Sequence, residues 1–169
     1  MQRIDNEIIE RTWESMNYLT LDESMTLVNQ MTKEHPLIIA YLMTAGEEML
    51  SKDERELLIY LGMVVWKIMT KFYGPLPQIT NEVLEVAEDK NIQMLEYLEG
   101  EPDEDFINTV SMLIDNYNQS EILRYVVEAI IEENGDEASI SDEAKGIMLL
   151  CIKTVIDSFD LVRVDITSP

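Results

Sequence analysis

Leu57-Leu58-Ile59-Tyr60-Leu61-Gly62-Met63-Val64-Val65-Trp66 is the longest apolar run in the chain, and it is ended by Lys67. A bilayer span needs roughly 20 such residues, so the run reads as a buried core helix and not as an anchor. Its start is marked upstream by Ser51-Lys52-Asp53-Glu54. There the Ser51 hydroxyl and the Glu54 carboxylate can satisfy free N–H groups at a helix N-terminus. The helix continues through Ile68, Met69, Phe72 and Tyr73 to Gly74-Pro75-Leu76-Pro77, the clearest break in the chain.

The same spacing extends toward the N-terminus. Ile4, Ile8, Ile9, Trp13 and Met16 recur at three to four residues and share a helical face. Thr20-Leu21-Asp22-Glu23 is a second capping box, opening a helix that ends near His35 because Pro36 disfavours helical backbone before it. Pro36 suits the first position of a third helix. That helix starts with the unbroken apolar run Leu37–Met43 and is expected to be buried all round, at the centre of the core with the helix after Ser51.

Beyond the Gly74–Pro77 break, Thr80 caps a helix carrying Val83, Val86, Ala87, Met94, Leu95 and Leu98, with an interruption expected near Asp89-Lys90-Asn91. Stripes at Phe106–Tyr117, Ile122–Ile131 and Ile147–Phe159 give three further helices, the last opened by Ser141. Leu161-Val162-Arg163-Val164-Asp165-Ile166 alternates like a strand without a partner and reads as an extended tail. The fold class is therefore all-α: seven or eight helices in antiparallel hairpins, as a compact helical array or a short HEAT-like solenoid. Residues 1–160 form a single all-helical domain, divisible into halves 1–73 and 80–160 at the Gly74–Pro77 linker, with an extended tail over 161–169. A faint echo relates Tyr41–Ala45 to Tyr125–Ala129 at an offset of 84, and Met63–Lys67 to Leu149–Lys153 at an offset of 86.

Charge is the compositional outlier. The chain has 169 residues, with 34 acids against 12 bases and a formal net charge of -22. Such a surface repels phosphate backbones and anionic headgroups, so the expected partner is a protein and neither nucleic acid nor a membrane; the charge would suit a basic partner, against the plainer reading that it maintains solubility. A homo-oligomer is compatible with the apolar content. A single cysteine, Cys151, permits no internal disulfide and fits a cytoplasmic setting.

Catalytic signals are sparse. His35 is the only histidine, and Cys151 lies in an apolar run where a thiol behaves as a small hydrophobe. Phosphate-cradling motifs and EF-hand loops are absent from the sequence. Glu82, Glu85 and Glu88 are spaced three apart on one helix, which leaves a Mg- or Mn-dependent helical hydrolase using Glu-x-x-Glu carboxylates as the alternative reading. Otherwise no cofactor, metal ligand or catalytic residue is implied.

The acids concentrate in two turns: Glu96, Glu99, Glu101, Asp103, Glu104 and Asp105 in one, and Glu132, Glu133, Asp136 and Glu137 in the other. These form the candidate binding face, against the plainer reading of a solvated edge. The 11 methionines fill the core or line an adaptable groove in the N-terminal half. The sequence thus points to a non-enzymatic interaction module: an adaptor, an accessory subunit or an inhibitor of a basic protein.

Overall fold

The computed structural model describes residues 3–99, 103–132 and 140–167. Among the described residues there are eight helices: α1 (Asn6–Asn17), α2 (Leu21–Glu34), α3 (Pro36–Thr44), α4 (Lys52–Tyr73), α5 (Asn81–Glu99), α6 (Asp103–Asn116), α7 (Ser120–Glu132) and α8 (Asp142–Thr167). No strand occurs among the described residues.

Local chemistry sets the helix ends. Ser51 and Glu54 form the reciprocal capping box at the start of α4. At α2 only half of a box forms: Thr20 accepts from the Glu23 N–H at 3.2 Å, while the Glu23 carboxylate accepts from the Thr20 hydroxyl and not from its backbone. Thr80 and Ser141 cap α5 and α8 through the N–H groups of Val83 and Ala144. Gly74 closes α4 at φ +81°, a left-handed value that a residue with a Cβ rarely adopts.

Three expectations are corrected. Residues 161–167 belong to α8 and are not an extended tail. Alternation over six residues suits either geometry, and the helical register wins because it buries Phe159 and Val162 together and pairs Asp160 with Arg163. The helix at Pro36 is not buried all round: Ile38, Ile39, Tyr41 and Leu42 face inward, but Ala40 and Met43 are exposed. The centre of the core is therefore α4 against α8, with α3 at its flank. The interruption expected near Asn91 does not occur, and α5 runs unbroken.

α4 contributes Leu58, Leu61, Val64, Val65, Trp66 and Met69 to the core, and α8 contributes Met148, Cys151, Ile152, Val155, Ile156 and Phe159. Each such side chain removed from water contributes about 1.5–3 kcal/mol before entropy is charged against it. α8 packs on both α4 and α5, so the last helix closes on the middle of the chain. A solenoid would stack its hairpins in order; this is a compact helical array.

The sequence echo has a counterpart in packing. α1 packs on α4 as α5 does on α8, α2 on α3 as α6 on α7, and α3 on α4 as α7 on α8. Registers follow from caps and burial. Ile4-Asp5-Asn6-Glu7 matches Ile79-Thr80-Asn81-Glu82 at an offset of 75, with Ile4 and Ile79 both buried just ahead of the helix. His35 and Gln119, each the buried residue before a helix, keep the offset of 84. The helix-capping serines 51 and 141 set α4 against α8 at 90, in place of 86.

Candidate functional site

The expected acidic face falls largely on residues whose side chains lie outside the described set. Glu96 is exposed on α5. Glu99 ends α5, Asp103, Glu104 and Asp105 open α6, and Glu132 ends α7. Glu101, Glu133, Asp136 and Glu137 lie outside the described residues. On α5, Glu82 and Glu85 are exposed and Glu88 is half-buried. Among the described residues, no three of His, Cys, Asp and Glu converge where they could hold a metal ion.

The structure also assembles a groove that the sequence did not announce. It lies between α1, α4 and α7, has a volume of about 330 Å³, and is lined by Trp13, Asn17, Leu57, Tyr60, Leu61, Tyr125, Glu128 and Ala129. Trp13 and Tyr60 stand perpendicular, with ring centroids 6.5 Å apart. Tyr125 is inclined to Trp13 by 43° at 5.8 Å. Three partly buried rings from three helices thus wall one half-open space. The Tyr60 hydroxyl donates to Asn17 Oδ1 at 2.6 Å, which fixes that wall.

Carboxylates rim the same space. Glu128 lines it directly, and the Glu10 carboxylate is near enough to the Tyr125 hydroxyl to act on it. Burial first, and then Glu10, Glu128 and Glu14, push the Tyr125 hydroxyl up to about 12. None of the eight lining residues is basic.

A second polar feature runs along α8. Asp157 accepts from Asn91 Nδ2 at 3.0 Å, from Lys153 Nζ at 2.9 Å and from the Tyr117 hydroxyl. Lys153 also donates to Asn91 Oδ1 at 2.7 Å and sits 4.6 Å from the centre of the Tyr117 ring. Burial and the Asp157 charge raise the Tyr117 hydroxyl above its ordinary range. One turn on, Asp160 accepts from Arg163 and from Gln119, whose amide also donates to Tyr73. The Asp157 cluster pairs its acid, base, amide and phenol groups with one another, as a structural polar layer requires, while the buried Gln119 Oε1 has no hydrogen-bond partner among the described residues. Asn91, the residue expected to interrupt α5, is instead its link to α8.

His35 and Cys151 are buried, as an apolar setting for both requires. His35 packs in T-shaped contacts with the Trp66 and Phe159 rings, and burial lowers its pKa. Burial pushes the Cys151 thiol up to about 11, so it is held as a thiol. Of the methionines in α1 to α4, Met16, Met31, Met63 and Met69 are buried, while Met25 and Met43 face solvent.

No signal in the sequence marked the groove, because Trp13, Tyr60 and Tyr125 each lie in an ordinary apolar stripe. Only the packing of α1 on α4 and α7 brings them together. Compared with family models, curated proteins and solved structures, the chain matches none.

Proposed function

We propose that this protein is a non-catalytic interaction module whose partner is a basic protein. One observation carries the reading: the chain's few bases are largely engaged with their own chain. Arg11, Lys52, Arg124, Lys145, Lys153 and Arg163 pair with its carboxylates, and Arg55 donates to the carbonyls of Leu42 and Ala45. Against 34 acids this leaves a large unneutralised excess. A surface of one sign steers an oppositely charged partner, accelerates its approach and makes association sensitive to salt. In a helical adaptor, accessory subunit or inhibitor, that steering and a fixed surface are the whole requirement.

Affinity capture from the source lysate, washed at low and high salt, tests the reading. The expected result is a stoichiometric basic partner retained at low salt and lost at high salt, with charge reversal at Glu101, Asp103 and Glu104 abolishing capture. Failure to capture a specific partner, or capture of an acidic one, overturns it. Magnesium or manganese should leave the melting temperature nearly unchanged; a clear rise would favour a metal-dependent enzyme instead.

A further inference from the structure

We infer that the groove between α1, α4 and α7 receives a cationic side chain, arginine above all, from that basic partner. The inference rests on the proposed function for the partner's nature, and on the groove's own geometry for the contact.

Two independent features meet there. The walls are the rings of Trp13, Tyr60 and Tyr125, with Trp13 perpendicular to Tyr60 and tilted against Tyr125. Aromatic faces carry negative quadrupoles, and rings set at angles around one space attract a cation placed between them. Glu128 stands in the lining, and the negative charges of Glu10 and Glu14 on α1 act on the Tyr125 hydroxyl from outside it. A neutral donor gains only a hydrogen bond from those carboxylates, a cation gains charge attraction as well, and an anion is repelled. The space is large enough to take a long side chain and open enough to admit it from a partner's surface. Arginine is preferred over lysine because its planar guanidinium stacks on aromatic rings while its N–H groups reach a carboxylate.

The matching position in the other half is filled and gives a built-in contrast. At the offset of 84 Tyr125 corresponds to Tyr41, and at the offset of 75 Trp13 corresponds to Glu88. Tyr41 is buried, with its hydroxyl beside Cys151 and Thr154 and under the influence of Glu88. Among the described residues, Tyr125 stands half-buried at an open groove where its counterpart Tyr41 is buried.

The test titrates the protein with N-acetyl-arginine amide and, separately, with the uncharged N-acetyl-citrulline amide, whose side chain has nearly the same shape. NMR of the indole N–H groups reads the site directly, because Trp13 lines the groove while Trp66 is buried and serves as control. The expected result is a saturable shift of the Trp13 signal with arginine, none at Trp66, and markedly weaker binding of citrulline. Tyr125→Leu should weaken arginine binding by about two- to thirtyfold, the range spanned by exposed to desolvated cation–π contacts, and Glu128→Gln by up to about fivefold, as for an exposed ion pair. Equal binding of both probes overturns cation recognition. Saturation by tetramethylammonium without any by arginine amide overturns the side-chain assignment. If a basic partner is captured undiminished by folded Glu128→Gln and Tyr125→Leu variants, the groove inference fails and the proposed function stands. Arginine binding with no captured partner supports the groove as a cation site and overturns the proposed function.

Discussion

The α1–α4 interface and the α5–α8 interface follow one packing plan and are filled with opposite chemistry. In the register of the helix caps, Met16 corresponds to Asn91, Met63 to Lys153, Val64 to Thr154 and Lys67 to Asp157. The first interface is apolar beneath and opens beside it into the aromatic groove. The second is knitted by a polar cluster and is the more extensive of the two. One set of packing directions therefore tolerates either solution. A polar solution is costly unless every member is paired, and an apolar one leaves neighbouring surface free for another use.

The most demanding test of this contrast is Asp157→Ala. It strands the donors of Asn91, Lys153 and Tyr117 at a half-buried site, and should cost about 3–5 kcal/mol in urea denaturation. The counterpart Lys67→Ala should stay within about 1 kcal/mol, because it strands no such group. Replacing the cluster as a unit, with Asn91→Leu, Tyr117→Phe, Lys153→Met and Asp157→Leu, should recover most of the loss, since well-packed apolar groups often match a buried ion pair. A cost for Asp157→Ala as small as for Lys67→Ala would mean that water already satisfies the cluster.

How much of this could be read beforehand follows from where each signal resides. Caps at Ser51, Thr80 and Ser141 and the break at Gly74 are local, and they place the helix starts and the divide. Asn91 misled because a polar residue in an apolar stripe looks like an interruption until its partners, 62 to 66 residues away, are in place. The segment after Asp160 misled because its apolar residues fit both periods. For the groove, the deciding information is which helices touch, and no local pattern encodes that.

Gly62→Ala probes the close approach of α3 to α4. An added Cβ would run into Leu42 Cδ1, and Leu42 is fully buried, so it must shift against packed neighbours. The expected loss is about 1–3 kcal/mol by chemical denaturation, partly relieved when Leu42 is shortened to Ala in the same chain. Loss without relief would place the strain in the backbone.

His35→Gln converts the first-half residue into its counterpart Gln119. Burial lowers the pKa of His35 in the folded state, so the unfolded chain binds its proton more readily. Its contribution is intact above the unfolded value of about 6.5 and is lost as pH falls below it. Relative to His35→Gln, the wild type should lose stability on acidification with a slope of up to about 1.4 kcal/mol per pH unit. Taking the difference between the two proteins cancels the acidic surface. Parallel pH profiles would mean that His35 is not held neutral.

Gly146→Ala should have the smallest effect and the opposite sign. Gly146 lies inside α8, is not among the positive-φ glycines, and an added Cβ would meet nothing within 4 Å. Glycine within a helix costs about 0.5–1 kcal/mol relative to alanine, chiefly through the freedom it keeps in the unfolded chain. The substitution should therefore stabilise by that amount and raise the melting temperature by about 1–4 °C. Gly62 and Gly146 then separate two meanings of one residue: on α4 the missing Cβ is room for a neighbouring helix, and on α8 it serves no contact among the described residues. If Gly146→Ala lowers stability in a concentration-dependent way, the open space beside it is filled in solution by a second copy, and α8 needs its glycine for the same reason as α4.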